Sequence, residues 1–247
     1  MDHRLNPERR LIDALRRVHR LVVLTGAGMS TESGLPDFRS EHGLWRQYRP
    51  EELASVDALR LRPLLFYEFY RKRLEMLDHV GPNAGHKALA LLEKQGRLKL
   101  LVTQNVDGLH QAAGSQKVAE LHGSLRRARC HQCGRKHSPD VLKRPVADFD
   151  SLPRCPCGGL VRPDVVLFGE LLPQRALNQA IEAVENCDAL LVVGSSLQVY
   201  PAASLPQLAL DSGARLWIIN LTPTPYDSAA EIVVRSKAAE LLGRLLE

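Results

Sequence analysis

Four of the five cysteines lie between residues 130 and 157 as two close pairs, Cys130-X-X-Cys133 and Cys155-X-Cys157, with residues 134–154 between them. Two close thiolate pairs supply the four ligands, at about 2.3 Å, that a tetrahedral zinc ion takes. Gly134 and Gly158 follow the pairs and suit tight turns that aim backbone N–H groups at sulfur. Four protein ligands leave no open coordination position, so such a zinc is structural rather than catalytic. The second pair has a single intervening residue, which narrows the chelate and leaves His131 or His137 as alternative fourth ligands. Cys187 stands apart on a helical pattern and reads as a core residue.

A second centre of chemistry is Leu21-Val-Val-Leu-Thr-Gly26-Ala-Gly28, an apolar strand running into a Gly-X-Gly turn. Glycines at such a turn let backbone N–H groups approach a pyrophosphate closely. Thr31 replaces the third glycine of the usual dinucleotide fingerprint, and no acidic residue closes a second strand some twenty residues on, so a dehydrogenase-type site is excluded. The turn by itself is equally a structural one. The polar loop after it carries Asp37, Phe38 and Arg39, an arginine for phosphate and an aromatic that can cover a ring. Among nine histidines, His122 precedes a glycine at a junction between two regions of different composition. With an ordinary pKa near 6.5 it could act as a base at neutral pH, or serve only as a packed structural residue.

The elements that must position these groups follow from the apolar pattern. Leu21–Leu24, Leu98–Val102, Ala189–Val193 and Leu216–Ile219 are short, continuously apolar runs, as strands buried on both faces of a parallel sheet are. Helical patterns lie at residues 7–19, 85–95, 173–186 and 202–210. The alternation predicts a doubly wound, mostly parallel α/β sheet. Each run ends in small or amide residues: Gly26–Ser30, Gln104–Asp107, Gly194–Ser196 and Asn220. Ligands bind such sheets at the carboxyl ends of the strands, so these segments should converge. Residues 38–80, helical and rich in aromatic and Arg residues, and residues 123–161, with the cysteines, break the alternation. Val118–Leu121, just before His122, reads as a helix-to-loop segment.

The 247 residues are 45% hydrophobic and 25% charged, which excludes wholesale disorder and allows a full core without disulfides. No apolar run nears the roughly 18 residues of a membrane span. The charged N-terminal stretch lacks the apolar centre of a secretory signal, so a reducing, cytoplasmic setting is expected, where clustered thiols bind metal. The net charge of +5 includes a local cluster of Arg126, Arg127, Arg129, Arg135 and Lys136. That cluster is either a solvated face or a contact for an acidic partner.

Several motifs occur in a fixed order: Gly26-Ala-Gly-Met-Ser30, Gly34-Leu-Pro-Asp-Phe-Arg39, Thr103-Gln-Asn-Val-Asp-Gly-Leu-His110, His122-Gly123, the paired cysteines, Phe168-Gly-Glu170 and Gly194-Ser-Ser-Leu-Gln-Val-Tyr-Pro201. In this order the chain resembles the sirtuins, NAD-dependent protein-lysine deacylases, over nearly its whole length. The Cys155-X-Cys157 spacing departs from the two intervening residues usual in that family. The resemblance implies a Rossmann-like NAD-binding domain (residues 1–37, 81–122 and 162–247). It also implies a small domain made of a helical insertion (38–80) and a zinc-binding module (123–161).

By the same resemblance, His122 is the general base and Cys130, Cys133, Cys155 and Cys157 hold one structural zinc. NAD is consumed as a cosubstrate: the acyl-lysine oxygen attacks C1′ of the nicotinamide ribose and nicotinamide leaves. His122 then draws a proton from the ribose hydroxyls, and water completes the release of lysine and 2′-O-acyl-ADP-ribose. The cofactor contacts implied are Gly26, Ala27, Gly28, Ser30, Asp37, Phe38, Arg39 and Trp45 on the first loop. Gln104, Asn105, Val106 and Asp107 follow on the second. Gly194, Ser195, Ser196, Asn220, Leu221 and Ala238 complete the set. Asn105 and Asp107 suit the nicotinamide carboxamide, Gln104 the ribose, and Phe38 would shield the reacting face from water. Asp107 in Asp-Gly is also an ordinary turn residue.

Acylated-lysine proteins or peptides are the partners implied, held between Val166, Phe168, Gly169 and Glu170 on one side and Val199 on the other. No membrane and no specific nucleic-acid partner is expected. Tyr70 and Arg73 share a helix face at i, i+3 and match the pair with which some sirtuins hold succinyl or malonyl carboxylates, although Tyr67 and Arg71 blur the register. The expected activity is therefore deacetylation together with desuccinylation or demalonylation. The rivals are an NAD-dependent mono-ADP-ribosyltransferase and, from a different class, a nucleic-acid-binding protein built on a zinc ribbon.

Overall fold

A computed structural model describes residues 6–37 and 49–247, excepting the side chains of residues 50 and 51. Six strands form one sheet in the order β3-β2-β1-β7-β8-β9, all parallel. They are β1 (Leu21–Thr25), β2 (Leu98–Thr103), β3 (Val118–Glu120), β7 (Ala189–Val193), β8 (Arg215–Ile219) and β9 (Ile232–Val234). The continuous apolar runs are explained by burial on both faces. Leu21 and Val23 of β1 enter one core with Leu11, Leu15 and Leu89, while Val22 and Leu24 enter another with Val184 and Leu205. Helices Pro7–Arg17 and Ala84–Lys94 cover the first face, and Gln174–Glu185 and Leu205–Asp211 the second.

Three further strands, β4 (Gly123–Cys130), β5 (Lys136–His137) and β6 (Val161–Val165), form a small antiparallel sheet in the order β5-β4-β6. Its inner face shares a third core with the helix Pro63–Asp78: Phe66, Tyr67, Phe69 and Tyr70 pack with Leu125, Ala128, Cys130, Val161 and Val165.

Two expectations change. Val118–Leu121 is not a helix-to-loop segment: Val118–Glu120 is the edge strand β3, paired in parallel with Leu101–Thr103. Three residues are too few for alternation to be read, and the neighbouring β2 supplies the hydrogen bonds that make them a strand. The helix expected at 202–210 begins as a 3₁₀ turn, Ala202–Ser204, before the α-helix Leu205–Asp211.

Candidate active site

The strand ends converge as the chain pattern requires. Gly26 and Gly28 lie against Gly194, and only glycine fits any of the three positions. A Cβ on Gly26 would stand 2.7 Å from the Gly194 carbonyl oxygen, and one on Gly194 would stand 2.4 Å from the Met29 nitrogen. Gly194 also has φ +60°, which side chains rarely adopt. Gly28 N–H donates to Gly194 O at 2.9 Å, so the loops after β1 and β7 form one backbone cradle.

Beside this cradle, the β2 loop builds a polar cluster. Ser30 Oγ donates to Asp107 Oδ2 at 2.7 Å, and Leu109 N–H donates to Oδ1 at 2.9 Å. Asn105 Nδ2 donates to Gly26 O and to Ser30 Oγ, both at 3.1 Å. Asp107 is therefore more than a turn former, since one of its oxygens is aimed at the glycine loop. Gln104 Nε2 donates to Ser195 Oγ at 2.9 Å, joining the β2 and β7 loops. A side cavity of about 40 Å³ opens between Ala27, Ser30, Asn105, Asp107 and Arg73.

The main cavity is about 640 Å³, a size that suits a dinucleotide with a second ligand. Gly26, Ala27, Gly28, Asp37, Gln104, Asn105, Val106, Gly194, Ser195, Ser196, Asn220, Leu221 and Ala238 all line it. Its other end is walled by His122, Tyr70, Arg73, Val166, Phe168, Gly169, Glu170 and Val199. Phe38, Arg39 and Trp45 lie outside the described residues. Thr31, Thr222, Ser236 and Lys237 also line the cavity and were not read from sequence. Ser236 and Lys237 follow β9, a three-residue strand; recognising it would have exposed them by the same strand-end rule.

His122 sits between β3 and β4, where Gly123 takes φ +74°. A Cβ at Gly123 would stand 2.1 Å from the Asp164 carbonyl oxygen, so the histidine is delivered by a turn only glycine can make. His122 Nδ1 lies 2.9 Å from Gln104 O. A carbonyl only accepts, so Nδ1 carries the proton and the basic lone pair belongs to Nε2.

The ambiguity between the two tyrosines and the two arginines is resolved by packing. Tyr67 OH donates to Val161 O at 2.7 Å, and Arg71 pairs with Glu75 at 2.5 Å. Tyr70 and Arg73 are the pair that faces the cavity. Burial pushes the Tyr70 phenol up to about 12. Burial also works against the charge of Arg73, while Tyr70 and Asp107 work for it.

The four cysteines meet at the end of the small sheet, with their sulfur atoms all within 4.8 Å of one another. Cys130 and Cys157 Sγ are 3.5 Å apart, and Cys133 and Cys155 Sγ 3.7 Å. Bonds of about 2.3 Å at tetrahedral angles place sulfurs about 3.8 Å apart, so the set fits zinc and is far too wide for disulfides. Cys157 completes the set, and neither His131 nor His137 belongs to it. Backbone N–H groups of Cys133 and Gln132 point at Cys130 Sγ and lower that thiol to about 6, toward the thiolate a metal needs.

The basic cluster beside the cysteines is largely engaged within the protein. Arg126 donates to Asp107 O and Leu77 O, Arg127 pairs with Glu120 and Asp164, and Arg129 pairs with Asp164.

A glycine cradle and an amide-rich cleft at the carboxyl ends of a parallel sheet, beside a four-thiolate knuckle, define a zinc-bearing nucleotide-binding α/β protein. The model of the Sir2 family matches residues 26–201. The chain is 51% identical over 228 residues to an NAD-dependent protein deacetylase 1 of Geobacillus kaustophilus, covering 92% of each. It is 48% identical over 235 residues to an NAD-dependent protein deacylase 2 of Pyrobaculum aerophilum, covering 95% of this chain and 93% of that one. A Sir2 structure with a p53 peptide and NAD+ superposes at TM-score 0.85 with 37% identity, covering 100% of this chain and 98% of that one. The chain belongs to the Sir2 family.

Proposed function

We propose that this protein is an NAD-dependent protein-lysine deacylase. It takes an acyl-lysine segment, NAD and water to free lysine, nicotinamide and 2′-O-acyl-ADP-ribose. The observation that carries this reading is one cavity with a glycine cradle at one end and His122, with its base nitrogen set by Gln104, at the other. The cradle and Ser195 suit the phosphates, Asn220 the adenosine ribose, and Asn105 with Asp107 the carboxamide. His122 Nε2 takes the ribose proton. The acyl-lysine enters between Val166–Glu170 and Val199, with its backbone added as a short strand. The zinc organises the small sheet and has no place in the chemistry. The division into an NAD domain and a small helical and zinc-bearing domain, with the cleft between them, belongs to the same reading. So does a cytoplasmic location, which suits the five free cysteines among the described residues.

Acidic acyl groups are part of this proposal. Tyr70 and Arg73 bring a phenol O–H and a guanidinium to the wall that also carries Val166, Phe168 and Val199, and together they are the donor set a carboxylate takes. Incubation with NAD and matched acetyl-, malonyl- and succinyl-lysine peptides, followed by mass spectrometry, tests both levels. Turnover of any peptide with NAD supports the deacylase. ADP-ribose fixed to protein without lysine release would favour the ADP-ribosyltransferase instead.

A further inference from the structure

β6 runs the length of the small sheet, from the zinc end to the histidine. Val161 pairs with Cys130, Val165 pairs with Gly123, and the next residue, Val166, donates its N–H to His122 O at 2.9 Å. Near the start of this strand stands Arg162, whose side chain is 0% exposed. Such burial is rare for an arginine unless its charge is matched. Its guanidinium donates to Val165 O at 2.7 Å and to Glu170 Oε1 at 2.5 Å. The other carboxylate oxygen, Glu170 Oε2, accepts from Leu167 N–H at 3.0 Å. Gly169, at φ +92°, makes the turn that brings Glu170 back, and Glu170 N–H closes it on Leu167 O at 2.9 Å.

Both carboxylate oxygens of Glu170 are thus used inside the protein, although the residue walls the cavity and the resemblance sets it against the substrate. We propose that Arg162 and Glu170 are a positioning pair for the acyl-lysine wall. Their buried bridge pins the loop Val166–Glu170 at both ends, so that Val166 and Phe168 hold one wall of the acyl cavity rigid. Glu170 acts through that loop and reads no charge on the substrate. The proposal rests on the deacylase reading and adds the device that sets the shape of the acyl site.

The test uses Glu170→Gln with NAD and three acetyl-lysine peptides that differ only in a basic, neutral or acidic residue beside the modified lysine. The loss of the charge-assisted bond should raise the peptide KM about tenfold, equally for all three peptides, with the KM for NAD nearly unchanged. Because Arg162 is left buried without its counter-charge, the melting temperature should fall, and the kinetics are read below it. Arg162→Met should give the same pattern, and the double variant should be no worse than the poorer single one. Should Arg162→Met not fold, Glu170→Gln alone decides. An effect that follows the peptide charge, or an unchanged peptide KM, would overturn the positioning role. Wild-type protein that deacylates none of the peptides would instead remove the deacylase reading and this proposal with it.

Discussion

The ring of His122 is turned so that Nδ1 lies 2.9 Å from the backbone carbonyl oxygen of Gln104, a residue whose side chain holds Ser195 on the loop after β7. One residue therefore fixes the tautomer of the histidine and ties together the two loops that frame the cofactor end of the cavity. The backbone carbonyl of Gln104 holds the base and its side-chain amide holds the cradle.

His122→Asn should keep the fold and lower deacylation by about 10²–10⁴-fold, the usual contribution of a positioned base. In the proposed reaction the base enters only after nicotinamide has left, so exchange of labelled nicotinamide into NAD should persist in this variant. Loss of exchange in step with deacylation would place His122 in the first step instead.

Arg73→Met should lower kcat/KM on succinyl-lysine peptide by about 10- to 100-fold, as expected for a charge-assisted pair, and leave acetyl-lysine within a few-fold. Tyr70→Phe should act in the same direction and more weakly. Equal losses on both peptides would show that the pair has no carboxylate role.

Much of this arrangement is legible in the residues. The four apolar runs read as strands because all five residues of β1 and of β7 are buried. The strand-end rule then brings Gly26, Asn105 and Ser195 to one place. β4 is harder to see: Gly-Ser-Leu-Arg-Arg-Ala-Arg-Cys looks like a basic loop. It forms a strand because β6 supplies its ladder partners and Leu125, Ala128 and Cys130 enter the core of the small sheet, with Arg127 and Arg129 meeting Asp164 at the surface, all of them tertiary contacts that local pattern does not reveal. The inward turn of Glu170 was hidden for a similar reason, since its partner Arg162 is buried by tertiary packing alone.

Zinc should be present at one per chain. Because Cys130 and Cys155 belong to the same core as Phe66 and Tyr70, metal removal should loosen the wall that carries Tyr70 and Arg73. A chelator should lower the melting temperature and the activity together, with zinc restoring both. Cys157→Ser should lose metal as readily as Cys133→Ser; full zinc in Cys157→Ser would mean that another residue supplies the fourth ligand.

Stability should fall in acid for an identifiable reason. Burial holds His86 down at about 4, and burial holds the adjoining His110 well below its ordinary value, their rings 4.7 Å apart. Both folded values lie below the unfolded 6.5, so the stability they confer is present above pH 6.5 and is lost as pH falls toward 4. The His86 share is on the order of 3 kcal/mol. Urea midpoints at pH 7.5 and 4.5 should differ, and His86→Leu should narrow the difference. An unchanged gap would place the acid sensitivity elsewhere.

The central claim is that the dinucleotide is cleaved at its nicotinamide bond in step with loss of the acyl group. Nicotinamide and deacetylated peptide, quantified together by chromatography from one reaction with NAD and an acetyl-lysine peptide, test it most directly. The account predicts equal molar amounts of the two, with little nicotinamide when the peptide is omitted. Deacetylated peptide formed without nicotinamide, or with NAD left out, would contradict it.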